Sequence, residues 1–220
     1  MIKTFSIIFF RDLKEGLRQD TKAWFTISFF LICLLVFPLA VGAINNILAK
    51  IAVAAIWIST LFANLLALEN MFKEDYEDGI LEQYVINGIS LQYVVISKCL
   101  NHWIFSGLPI IIISPFCLYF YDPESSSNLR LIISLLLGTP LLTLIGSPLA
   151  ALTLGHSLRG PVLAFLTIPF YFPVLIFGVL STKTINIQSN AEFYLLAAFL
   201  SLGIVILPLM TVKILRFILE

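Results

Sequence analysis

Charge is scarce in this sequence. Thirteen Lys and Arg and thirteen Asp and Glu make up 12% of 220 residues, against 60% hydrophobic side chains. A soluble core cannot hide that much apolar surface, so a water-soluble globular domain is excluded. The formal net charge is +0, which leaves no basic excess to neutralise nucleic-acid phosphates. Two histidines cannot build a multi-histidine metal centre. Cys33, Cys99 and Cys117 form no CxxC pair, so they read as buried inert thiols rather than a redox or zinc site. The phosphate-loop pattern GxxxxGK with Ser or Thr is missing, as are HExxH and GxSxG. This is therefore no enzyme by its sequence, and any ATP-driven step needs hydrolysis on another polypeptide. Internal repeats, low-complexity segments and long linkers are also lacking, which leaves a single domain over residues 1–220.

What the chain does have is apolar runs of roughly 20 residues, the length a helix needs to cross about 30 Å of hydrocarbon. Six are present, at about 24–44, 51–68, 100–121, 129–154, 161–180 and 191–212. Lys and Arg in the short loops set the orientation. With the N-terminus inside, Lys3, Arg11, Lys14, Arg18, Lys22, Lys73, Lys98, Arg159, Lys213 and Arg216 are cytoplasmic, against Lys50, Arg130 and Lys183 outside. Both termini are thus expected in the cytoplasm. The first twenty-odd residues mix acids and bases without a cleavable apolar region, so no signal peptide is expected. All prolines but Pro123 fall in or beside the spans, where neighbouring helices can satisfy the freed backbone groups. Gly107, Gly138, Gly146, Ala150, Ala151 and Gly155 permit close helix approach.

His102, beside Trp103 near the start of the third span, could ligate haem iron or hydrogen-bond across helices. The structural reading fits better, because polar side chains in spans commonly bond to neighbouring helices. His156, in a short turn with Arg159, reads as a solvated loop residue.

Two segments outside the spans are patterned. In residues 1–22, Ile2, Phe5, Phe9, Leu13 and Leu17 recur at helical spacing while Arg11, Asp12, Lys14, Glu15 and Arg18 take other faces. This predicts an amphipathic helix on the inner membrane surface. Residues 69–98 hold Glu69, Glu74, Asp75, Glu77, Asp78 and Glu82, six of the thirteen acids. At the bilayer centre each would cost roughly 2.5 to 3.5 kcal/mol, so the segment leaves the hydrocarbon. Phe72, Tyr76, Ile80 and Tyr84 share one helical face, and Glu74, Asp78 and Glu82 the opposite one. Like charges four apart cost an isolated helix about 0.2 to 0.5 kcal/mol per pair, which a basic partner surface would recover. The segment, broken near Gly79, is either a docking element for a soluble subunit or a hydrated acidic loop.

The order of surface helix, six spans and acidic segment after the second span resembles the permease subunit of an ABC-2 type exporter. The strings FPLAVG (Phe37 to Gly42), LLALENMFKEDYEDGILEQ (Leu65 to Gln83), KCLNHWIFSGLPIIIISP (Lys98 to Pro115), LLGTPLL (Leu136 to Leu142) and ALTLGHSLRGPVL (Ala151 to Leu163) are similar to the haem exporter protein B (CcmB) family of cytochrome c maturation. The resemblance spans nearly the whole chain.

It implies an all-α integral membrane permease of bacterial inner membranes, or of some mitochondria. Such permeases work with an ATP-binding subunit, CcmA, and with CcmC and CcmD, and serve the haem chaperone CcmE. The function implied is either haem export or ATP-driven release of the haem-loaded chaperone; one histidine in the spans favours the second. Haem is then a transported species and not a tightly bound cofactor. Glu74, Asp75, Asp78, Gly79 and Glu82 would form the ATPase-coupling interface, Gly79 permitting a sharp turn. Pro109, Gly138, Pro140 and His102 would serve packing or gating. A homodimer is implied, since two ATPase subunits need two docking sites. An exporter half for another hydrophobic substrate would share the surface helix and acidic loop. A secondary transporter would show an inverted repeat and ionisable residues near the midplane, and neither is visible.

Overall fold

The computed structural model describes residues 2–18, 21–42, 44–125, 127–155, 159–183 and 191–219, and among them every regular element is a helix. His156 lies outside the described residues. The elements are α1 (Ile2–Arg18), α2 (Thr21–Val41), α3 (Asn45–Leu68), α4 (Lys73–Glu77), α5 (Ile80–Ile86), α6 (Leu91–Tyr121), α7 (Asn128–Leu152), α8 (Arg159–Lys183) and α9 (Ala191–Leu219). The long helices α2, α3, α6, α7, α8 and α9 are apolar enough to cross a bilayer. They match the six expected runs one for one. Helices are the natural outcome in hydrocarbon, where every backbone group must find a partner within the protein. Short connections make successive spans antiparallel, so α3, α7 and α9 end where α2, α6 and α8 begin. Gly42 and Gly155, at φ +78° and +80°, follow α2 and α7 in the left-handed conformation that ends helices.

Three helices run further than the apolar pattern indicates, α3 starting at Asn45 rather than near Ile51. α6 starts at Leu91 rather than near Leu100, because Val94, Val95 and Cys99 are buried and its polar Ser97, Lys98 and Asn101 find partners inside the protein. Its 31 residues extend about 46 Å, well beyond about 30 Å of hydrocarbon. α9 continues to Leu219 rather than stopping near Val212, carried by the buried Leu215.

α7 is central, packing against α6, α8 and α9, with α3 against α6, α7 and α8. Around Trp57 of α3 the packing is tightest. The indole is fully buried, and a Cβ on Gly138 of α7 or Gly178 of α8 would collide with its ring. Glycine on two facing helices thus makes the slot that holds one large side chain. The buried apolar residues fall into two clusters. One surrounds Trp57, Leu135 and Tyr171; the other lies under α4 and α5, around Phe72, Leu81, Val94 and Leu215. Leu39 of α2, Phe165 of α8 and Val205 of α9 are exposed, as suits side chains facing lipid.

Proline in a helix frees the carbonyl four residues earlier, and three such carbonyls have identifiable donors. The Tyr121 hydroxyl donates to the Leu34 carbonyl freed by Pro38. Ser114 donates to the Ile111 carbonyl freed by Pro115 at 2.9 Å, and Ser147 to the Leu144 carbonyl freed by Pro148 at 2.9 Å.

Candidate functional site

The acidic segment is two short helices, not one. Gly79 stands between them at φ +69°, a left-handed conformation that breaks the run. Gly88 closes α5 with the same φ of +69°. Phe72 and Leu81 are buried and seat the pair on the end of the bundle. Glu77, Asp78 and Glu82 are exposed, and Glu74 is half-buried.

Asp75, one of the residues expected at the ATPase-coupling interface, turns inward. Only 3% of it is exposed, and its carboxylate lies 2.7 Å from Lys98 Nζ of α6 and 3.3 Å from Arg11 of α1. Arg11 also pairs with Asp12 at 2.8 Å and donates to the Tyr84 hydroxyl of α5. Asp12, itself buried, accepts from Ser97 Oγ at 3.1 Å. Two cations and two carboxylates thus close a charge-balanced cluster that joins α1, α4, α5 and α6. Desolvation works against the Arg11 charge, but Asp12 and Asp75 outweigh it and hold the guanidinium above its ordinary value. Burial pushes the Tyr84 phenol up.

α1 turns Ile8, Asp12 and Gly16 toward the bundle and leaves Ile7, Phe10 and Leu17 exposed, as an amphipathic surface helix does. A Cβ on Gly16 would run into the Phe105 ring of α6, so glycine sets how closely α1 lies on α6. Hydropathy spacing missed the inward turn of Asp12 because paired polar residues, and not only apolar ones, face the protein. The signal that could have found it is an adjacent Arg11–Asp12 pair on a mostly apolar helix, together with Lys98 at the head of an apolar run.

On its other flank the segment meets the α7–α8 turn. A Cβ on Gly155 would sit 3.4 Å from the Tyr76 hydroxyl, and one on Gly160 would sit 3.1 Å from a Glu69 carboxylate oxygen. Arg159, at the head of α8, is buried. The acidic segment thus pairs with α1 and α6 on one flank and lies against the α7–α8 turn on the other.

Below it lies a cavity of about 420 Å³ bounded by α1, α2, α3 and α6, with Phe25 and Phe105 on its apolar side and Glu74, Lys98 and Asn101 on its polar side. His102 also borders it, but its ring is bonded into the bundle. Nδ1 is 3.1 Å from Thr143 Oγ1 of α7, which also accepts from Asn64 Nδ2 at 3.4 Å. The Tyr171 hydroxyl lies 3.1 Å from Asn64 Oδ1 and 2.9 Å from the Leu142 carbonyl, and Trp103 Nε1 donates to Thr139 Oγ1 at 3.0 Å. His102 Nε2 is buried without a partner among the described residues. Gly138 packs on Trp57; Pro109 and Pro140 are half-buried within α6 and α7.

A bundle of six spans, with a surface helix and an acidic helix pair clamped to one end, is the architecture of an ABC-2 type permease. The sequence matches the CcmB protein family over residues 3–217. It is 36% identical over 210 residues to Heme exporter protein B of Pseudomonas aeruginosa, covering 94% of each chain. It is 32% identical over 200 residues to that of Haemophilus influenzae, covering 90% of each. With Heme exporter protein B of Rhodobacter capsulatus the figures are 39% over 168 residues, 76% of this chain and 77% of the relative. The chain belongs to the CcmB family.

Proposed function

We propose that this chain is the permease subunit of an ABC transporter complex for cytochrome c biogenesis, acting in haem export or in ATP-driven release of a haem-loaded chaperone. Family membership and the names of its relatives support the haem-related role. The observation that carries the permease reading is the clamped α4–α5 pair, a rigid acidic element outside the spans with Asp78 and Glu82 facing away from the bundle. It suits an ATP-binding subunit of the CcmA type with a basic surface. Glu74, Gly79 and the exposed acids form the coupling interface, and Asp75 holds it in place from within.

The termini and α4–α5 lie on the cytoplasmic side of a bacterial inner membrane, as the distribution of Lys and Arg indicates. CcmC and CcmD are the further partners, CcmE the indirect one, and a homodimer supplies two docking sites. Enclosure of His102 favours chaperone release over passage of haem past an iron ligand in this subunit. ATP is hydrolysed on the partner.

Affinity purification of the tagged chain from membranes in mild detergent, with mass spectrometry of everything that accompanies it, tests this. Recovery of a Walker-motif ATPase with the cytochrome c maturation subunits is the expected result. An ATPase without them would point to another exporter, and a chain recovered alone would overturn the coupling role.

A further inference from the structure

We infer that the partner-facing surface of α5 carries an apolar knob, Ile86 with Val85, beside Glu82 and on the same segment as the exposed acids Glu77 and Asp78. It fits a soluble subunit that offers an apolar socket next to basic side chains. This rests on the proposed coupling role and names the chemistry of the contact.

Ile86 is 82% exposed and Val85 44% exposed. On α5 the inward positions are Leu81, fully buried, and Tyr84, bound by Arg11. Glu82 and Ile86, four apart, share the outward face, and Val85 lies at its edge, between them and the buried Leu81. Left-handed glycines at 79 and 88 bracket the helix and fix how it presents that stripe.

Lipid does not account for the exposure. Ile86 lies in a segment whose exposed Glu77, Asp78 and Glu82 exclude it from hydrocarbon. An Ile as exposed as this, outside the hydrocarbon and beside Val85, is the composition of an interface centre, with Glu82 at its edge. Charge complementarity selects a basic partner and steers its approach, while the knob supplies the desolvated contact that keeps it.

The test uses the full complex, purified through the tagged permease. Ile86→Glu is expected to weaken retention of the ATPase subunit by about tenfold or more, the factor expected from losing one well-buried aliphatic side chain, whereas Ile86→Leu keeps it. Wild-type chain that brings down no ATPase would overturn the coupling role itself. Wild-type retention with unchanged Ile86→Glu retention would overturn the knob alone. A polarity-sensitive dye on Ile86→Cys separates the sources of burial: a blue shift on adding the ATPase subunit is expected, and a shift with protein-free vesicles instead would assign the knob to the membrane and overturn the inference.

Discussion

Lys98 Nζ and Asp75 Oδ2, at 2.7 Å, tie the head of α6 to the first of the two short helices. Removing one partner leaves the other charge buried, which costs about 3 to 5 kcal/mol where burial is complete. Lys98→Ala or Asp75→Ala is expected to lower thermal stability in detergent and expose residues 69–90 to protease. The exchange Lys98→Asp with Asp75→Lys should recover part of the loss. Protection equal to wild type in either single variant would show that the pair does not hold the segment.

Trp57 in its glycine slot predicts an overpacking effect. Gly178→Ala and Gly138→Ala each place a methyl against the indole and should each cost about 1 to 3 kcal/mol. With Trp57→Phe in the background the penalty should shrink, as read from melting temperatures of the single and double variants.

Tyr121 and Pro38 form a testable couple across α6 and α2. Tyr121→Phe leaves the Leu34 carbonyl without its donor, at a cost of about 1 to 3 kcal/mol. Pro38→Ala returns a backbone N–H to that carbonyl, so Tyr121→Phe should cost much less in that background. Additive losses would contradict the assignment.

Tyr84 predicts a response to alkali. Burial raises its pKa above the ordinary 10.0, so the folded state holds this proton more tightly than the unfolded chain. Its contribution is intact below pH about 10 and is lost as pH rises through the raised value. Hydrogen exchange in α5 should accelerate over that range, and less steeply in Tyr84→Phe.

The number and order of the spans were legible because lipid imposes one rule, a long uncharged helix, that hydropathy reads directly. The break at Gly79 was legible for a similar reason, since glycine interrupted an otherwise helical pattern. The burial of Asp75 was not legible because all six acids look alike in sequence, and only the approach of Arg11 and Lys98, 64 and 23 positions away, distinguishes it from Asp78. The inward turn of Asp12 was hidden by the same non-local pairing. Ile86 drew no attention because a single aliphatic residue in an apolar chain carries no signal until its surroundings are known to be aqueous.

Asp12 and Ser97, which meet in the cluster, are 85 residues apart in the chain. At about 5 to 20 residues per second, translation separates them by roughly 4 to 17 seconds. During that interval the N-terminal helix has emerged but the helix that receives its carboxylate has not been made. Its exposed Ile7, Phe10 and Leu17 suit a lipid surface, and the helix is expected to wait there until its partner has been made.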